Sequence, residues 1–214
     1  MQNAQKHFNR RHFIASATAL VGLPSAWAST TTHILVLGDS LSAEYGLAKG
    51  TGWVALLEQR LAAQKKLVKV TNASVSGDTT SGGRARLPRL LAQHQPSIVI
   101  IELGGNDALR GLPLQGTQDN LRFMTQAAQK AGAKVLLLGM QIPPNYGKKY
   151  AKDFESVFAV VANEDKGMLL PFFLKGIADS PNASEFFQSD QIHPNAKAQP
   201  IMLDNMWPLL APLL

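Results

Sequence analysis

The sequence predicts an α/β fold: a five-stranded parallel sheet held between two layers of helices, a three-layer α/β/α sandwich. Two observations carry that expectation. Short Val/Ile/Leu runs alternate along the chain with longer helical patterns, the order that strand–helix–strand units produce. The apolar runs are also nearly continuous, as strands covered on both faces require.

The elements follow in order. Residues 33–38 read as the first strand and 67–72 as the second. Residues 98–103 (Ile-Val-Ile-Ile-Glu-Leu) and 134–140 (Lys-Val-Leu-Leu-Leu-Gly-Met) are the clearest strands, and 167–172 a short fifth. Helices are expected near 53–65, 81–94, 117–131, 150–164 and 195–210. The connections are short and no unit repeats, so residues 29–214 read as a single domain.

Residues 1–28 read as an export signal. A basic start ending at Arg10-Arg11 precedes an apolar stretch from Phe13 to Leu23, and Ala26-Trp27-Ala28 gives a small-x-small cleavage pattern before Ser29. The apolar stretch is too short and too rich in Ala, Ser and Gly to be a permanent membrane anchor. The paired arginines resemble a twin-arginine signal, and they also suit an ordinary secretory one. The expected location is periplasmic or secreted.

The formal charge of +6 invites a nucleic-acid partner. Three of the 21 basic residues, Lys6, Arg10 and Arg11, lie in the first 28 residues, and none of the 15 acidic ones does. The remainder therefore carries +3. Its cations are scattered rather than gathered in a stripe with aromatics, so no nucleic-acid role is expected. The chain has no cysteine, which excludes disulfides, thiolate metal sites and a cysteine nucleophile.

In open parallel sheets ligands bind beyond the carboxyl ends of the strands, and four polar blocks fall there. Strand one ends in Gly38-Asp39-Ser40-Leu41. The glycine permits a tight turn, and Ser40 is expected at the start of the next helix, where its hydroxyl is exposed and negative charge is favoured. A serine in that place is equally a helix N-cap. After strand two comes Ser76-Gly77-Asp78, where a glycine lets a backbone N–H approach a ligand. After strand three comes Gly104-Gly105-Asn106-Asp107, whose asparagine amide can donate to an oxyanion. Both blocks are also ordinary turn sequences. Last comes Asp190-Gln191-Ile192-His193-Pro194, where a loop can turn the carboxylate onto the imidazole. Of the histidines beyond residue 28, His33 opens a strand and His94 ends a helix, which leaves His193 as the candidate base.

Together these blocks resemble the GDSL, or SGNH, hydrolases: Gly38-Asp39-Ser40-Leu41, Gly77, Gly104-x-Asn106-Asp107 and Asp190-x-x-His193, in that order. The stretches 35–43, 102–107, 143–147, 170–173 and 192–195 are similar to the bacterial acyl-CoA thioesterase I, lysophospholipase and arylesterase branch. The resemblance implies a serine hydrolase with catalytic Ser40, Asp190 and His193. It implies an oxyanion hole from the Ser40 and Gly77 backbone N–H groups and the Asn106 side chain. No Gly-x-Ser-x-Gly elbow surrounds Ser40, which argues against the α/β-hydrolase fold.

The reaction expected is hydrolysis of a small-molecule ester, thioester or lysolipid through an acyl-enzyme, by a monomer with no cofactor. One loop histidine and one aspartate are too few ligands for a metal. Ala108, Leu109, the Asn145-Tyr146-Gly147 block and the Phe186-Phe187 pair are candidates to line the substrate cleft, Leu109 and Tyr146 foremost. Two alternatives remain: a carbohydrate O-acetylesterase with a smaller acyl pocket, and a non-catalytic binding module of flavodoxin-like shape.

Overall fold

Five strands pair in parallel throughout: β1 (Thr32–Gly38), β2 (Val68–Asn72), β3 (Ile98–Glu102), β4 (Lys134–Leu138) and β5 (Met168–Leu170). They stand in the order β2-β1-β3-β4-β5. The computed structural model describes residues 1–2 and 31–214, and residues 31–214 form one compact unit. Except for Met1 and Gln2, the export segment expected at 1–28 lies outside the described residues.

Burial explains why the strands read as apolar runs. Every residue of β3 is buried, as are residues 34–38 of β1 and residues 135–138 of β4. The helices are α1 (Trp53–Ala63), α2 (Thr80–His94), α3 (Gly105–Leu109), α4 (Leu114–Lys130), α5 (Lys148–Glu164) and α6 (Gln199–Leu210). α1 packs against α6, while α4 packs against both α2 and α5. These two groups form the layers on either side of the sheet, as expected. No described helix is long and apolar enough to cross a membrane.

The strand order reverses direction between β1 and β3, and a crevice opens at such a switch point beyond the strand ends. Both strands run out there in register, with Gly38 opposite Glu102.

Several boundaries differ from the sequence expectation. Sheet pairing of β4 stops at Leu138: Gly139 N–H still donates to the Leu170 carbonyl, but its own carbonyl accepts from Phe173 N–H, one residue beyond the position a regular ladder would use. The last helix starts at Gln199 rather than 195, since residues 194–198 are held in turns by Asn195, which accepts Lys197 N–H at 2.9 Å. The short α3 was not expected at all. Five residues are too few to show a helical period.

One contact ties the two ends of the domain together. Gln199 is 1% exposed. Its Oε1 accepts the Trp53 backbone N–H at 3.0 Å, and its Nε2 donates to the Pro194 and Asn195 carbonyls. Gln199→Leu keeps the volume and orphans those buried groups, at about 1–3 kcal/mol. A domain of this size loses ~2–4 °C per kcal/mol, so the thermal unfolding midpoint of the variant should fall by several degrees. An unchanged midpoint in a thermal melt would show the contact to be dispensable.

Candidate active site

Three stretches meet in the crevice: the turn after β1, the β2–α2 loop with the β3–α3 junction beside it, and the loop before α6. Ser40 follows β1 and is 8% exposed. It does not open a helix, as the sequence suggested. Residues 40–46 are turns and α1 begins only at Trp53, so the hydroxyl does not sit at the start of α1. Nor does Gly38 make a turn. It is the last residue of β1, and a Cβ there would lie 2.8 Å from Glu102 Oε2 and 2.7 Å from Ser42 Oγ. Glycine is required because those two groups fill the space.

A continuous hydrogen-bond chain ends on Ser40. Asp190 Oδ2 lies 2.7 Å from His193 Nδ1, and His193 Nε2 lies 2.9 Å from Ser40 Oγ. The other carboxylate oxygen, Asp190 Oδ1, accepts the backbone N–H groups of Ile192 and His193 at 2.9 and 3.0 Å. These backbone bonds and the imidazole hold the Asp190 carboxyl down to about 2, so it is an anion across the physiological range. Curling the loop that tightly puts Gln191 at φ +56, a left-handed conformation costing about 1–2 kcal/mol. The turn places the carboxylate under the ring three residues on.

The loop is fixed from outside by side-chain amides. Gln188 Nε2 donates to the Tyr45 and Pro194 carbonyls, and Asn195 Nδ2 to those of Glu185 and Phe187. The Tyr45 ring lies against the His193 ring, with centroids 4.4 Å apart. No motif around Tyr45 points to that contact.

Gly77 sits at φ +78, where a side chain would be strained, and Arg110 Nη2 donates to its carbonyl at 2.9 Å. Among the described residues neither Ser40 N–H nor Gly77 N–H donates to a protein acceptor. Both are available to a ligand. Asn106 lies in the first turn of α3. Its Nδ2 donates to Asp39 Oδ2 at 3.0 Å and to the Asp78 carbonyl at 2.9 Å. An incoming oxygen has to share or replace the second bond. Asp107 beside it is buried and accepts Thr80 N–H and Thr80 O–H at 2.9 and 2.5 Å, which pins α3 to the start of α2.

A cavity of about 440 Å³ opens over Ser40, Asn106 and His193, within the ~300–1,000 Å³ of small-molecule sites. Leu109 and Tyr146 line it, as expected, and so do Asn145 and Phe187. Three expected residues do not line it. Gly147 lies outside the cavity wall, and Ala108 is fully buried in the core, turned about 100° around α3 from Leu109. Phe186 packs against the core instead of lining the cavity. Met140, Ile142 and Leu174 complete the apolar wall. They follow β4 or β5, where the sequence offered only strand-like apolar character.

Asp39 was also passed over. It is 2% exposed, and burial pushes its carboxyl up to about 6 against the opposing pull of the Leu41 N–H and the Asn106 amide.

The chain is similar to known proteins along most of its length. The sequence pattern of the GDSL-like Lipase/Acylhydrolase family matches residues 36–200. Esterase TesA of Pseudomonas aeruginosa is 50% identical over 205 residues, 96% of this chain and 100% of that protein. Thioesterase 1/protease 1/lysophospholipase L1 of Escherichia coli K12 is 43% identical over 186 residues, 87% of this chain and 86% of that protein. A crystal structure of TesA superposes with a TM-score of 0.82 at 52% identity, covering 86% of this chain and all of that one.

Asp39 generates a pH prediction. Its folded carboxyl holds a proton more tightly than the unfolded chain, whose value is about 4. Stability attributable to it is therefore lost as pH rises from about 4 to about 6, and the loss is complete above that. Asp39→Asn removes the titration. The variant should gain on the wild type between pH 4 and 7 by up to ~3 kcal/mol, read as a widening gap in unfolding midpoints. A gap that is constant across that interval would contradict the buried carboxylate.

Proposed function

The chain belongs to the GDSL-like lipase/acylhydrolase family and is an ester hydrolase, and from that premise we propose that it acts through an acyl-enzyme on Ser40. The observation that carries the reading is the unbroken chain from Asp190 through His193 to Ser40, with contacts of 2.7 and 2.9 Å. In this reading His193 takes the Ser40 proton as the hydroxyl attacks the acyl carbon. Asp190, ionised and bonded to Nδ1, keeps the ring in the productive tautomer and stabilises the imidazolium. Charge on the acyl oxygen is met by the N–H groups of Ser40 and Gly77 and by the Asn106 amide. The imidazolium returns its proton to the leaving alcohol or thiol, and water then hydrolyses the acyl-enzyme by the reverse roles.

The apolar wall of Leu109, Met140, Ile142 and Leu174 beside Ser40 favours a substrate with an extended acyl chain, as an ester, thioester or lysolipid. An acetyl group would leave most of that surface uncovered. Both oxygen and sulfur esters are taken as substrates in this reading, by an enzyme working as a monomer.

Residues 1–28 are read as a cleavable export signal, with the hydrolase released outside the cytoplasm. The support is the order Arg10-Arg11, apolar stretch, Ala26-Trp27-Ala28. In that compartment an ester or lysolipid is the more available substrate than an acyl-CoA.

A p-nitrophenyl ester series tests the chemistry. kcat/KM should rise from acetyl to medium-length chains, and Ser40→Ala should abolish turnover while keeping the wild-type unfolding midpoint. An active Ser40→Ala removes Ser40 as nucleophile, and a profile confined to acetyl turns the reading to a carbohydrate O-acetylesterase. For export, mass spectrometry of the protein from its host envelope should find Ser29 as the first residue. A retained Met1 would refute cleavage there.

A further inference from the structure

The hydrolytic reading leaves one group of buried polar atoms unused. Glu102, the last residue of β3, is 1% exposed amid an otherwise apolar strand. Its Oε2 accepts Ser42 O–H at 2.7 Å and the Asp39 backbone N–H at 3.3 Å. Ser42 Oγ in turn accepts the Trp53 indole N–H at 3.2 Å. Glu102 Oε1 is buried and has no donor to accept from. Its neighbour is another buried carboxyl, Asp39, whose Oδ2 accepts the Asn106 amide.

We propose that Glu102 is a positioning residue for hydrolysis: through the Asp39 carboxyl it fixes the direction in which Asn106 presents its amide to the acyl oxygen. The proposal rests on the reading of Asn106 as an oxyanion donor.

Three physical arguments support it. Two carboxylates cannot both be charged in one buried site that holds no neutralising cation. The titratable groups facing the pair are each other and, beyond Asp39, His193. No lysine or arginine among the described residues acts on either. One proton therefore stays with the pair. Second, the hydrogen-bond pattern says where it sits. Asp39 receives Leu41 N–H and the Asn106 amide, which stabilise its anion, while Glu102 is fully enclosed and its Oε1 lacks a donor. Burial and the adjacent Asp39 charge both push the Glu102 carboxyl well up. Its O–H then donates to Asp39 and favours the Asp39 anion. Third, position follows: the Asp39 carboxylate is held by Leu41 N–H on one oxygen and tethered to the Asn106 amide on the other, and a protonated Glu102, bonded to the Asp39 backbone N–H, closes the side from which it could swing. Asp39 also directly precedes Ser40, so one fixed carboxylate sets the amide donor beside the nucleophile.

Kinetics on a p-nitrophenyl ester test this in Glu102→Gln and Glu102→Met, each alone and combined with Asn106→Ala. Gln can still accept from Ser42 and donate to Asp39, and it should keep the larger part of kcat. Met fills the space without donating. It should lower kcat about tenfold to a hundredfold, approaching the ~100–1,000-fold loss of an oxyanion donor, with KM within about twofold. On the Asn106→Ala background the Met change should add little, because the donor it positions is gone. Wild-type kcat in Glu102→Met, an equal loss in Glu102→Gln, or multiplicative losses in the double variant would each overturn the proposal.

A spectroscopic arm covers the case in which Glu102→Met fails to fold. At neutral pH the wild type should show the infrared carbonyl band of a protonated carboxylic acid, absent in Glu102→Gln. A wild type lacking that band overturns the proposal whatever the kinetics. Absence of Ser40-dependent turnover in the wild type would sink the functional reading and the positioning role together. Intact wild-type turnover with an inert Glu102 series sinks the positioning role alone.

Discussion

The pairing of β1 with β3 determines where everything else in the site can be. The two strands run parallel and end side by side, Gly38 opposite Glu102. One residue past that pair lies Asp39 and two past it Ser40; on the other strand Asn106 lies four past it. A nucleophile and an amide from segments 66 residues apart therefore leave the sheet at one point, at the switch in strand order where a crevice forms of necessity. With both faces of these strands apolar and buried, alternation alone does not choose the register; a local fit marks it, since Gly38, lacking a Cβ, leaves the space that the Glu102 carboxyl and the Ser42 hydroxyl fill.

The base reaches this point by a different route. Asp190 and His193 belong to no strand or helix, and with no cysteine in the chain their loop is not stapled by a disulfide. Amide side chains do the holding: Gln188 to Tyr45, Asn195 to Glu185 and Phe187, Gln199 to Trp53 and Pro194. Each joins a side chain to backbone carbonyls or N–H groups, contacts that are directional and individually modest. They suit the task, because a hydrophobic contact would anchor the loop without fixing its orientation. The strain at Gln191 is tolerated for the same reason: two backbone N–H groups are turned onto Asp190 Oδ1.

What could be read from the sequence follows from how local each signal is. All five strands and the five longer helices were legible, because an apolar run or a helical period is a property of neighbouring residues. Ser40, Gly77 and Asn106 were legible as blocks at strand ends, and Asp190 and His193 as a loop block near the C-terminus, in a fixed order. The structure gathers them in one crevice. What failed is non-local. Ser40 was expected at a helix start because strand-turn-helix is the common sequel, yet residues 40–46 form turns and no helix starts before Trp53. Gly38 looked like a turn glycine, and the reason for it is a carboxyl 64 positions away. Glu102 passed for a strand residue with an odd charge. Tyr45 carried no motif, since stacking on His193 needs a partner from the far end of the chain.

Glu102 and Asp39 are the point at which stability and chemistry pull apart. A core is cheapest to build from apolar residues, and replacing buried ionisable groups with packed hydrophobes is often neutral or stabilising. Here the fold instead encloses two carboxyls, removes a side chain at Gly38 to make room for one of them, and surrounds them with Ser42 and the Trp53 indole. Packing alone gives no reason for this, because a leucine at 102 would continue the strand. The reason lies in where the polar atoms lead: from the Trp53 indole through Ser42 to Glu102, which also accepts the Asp39 backbone N–H, and from the Asp39 carboxylate to the Asn106 amide. A donor that must meet a charge appearing only in the transition state is useful when it need not reorient at that moment. A network anchored inside the core supplies that rigidity in a way a surface loop cannot, and the buried carboxyl pair is the structural form that requirement takes in this chain.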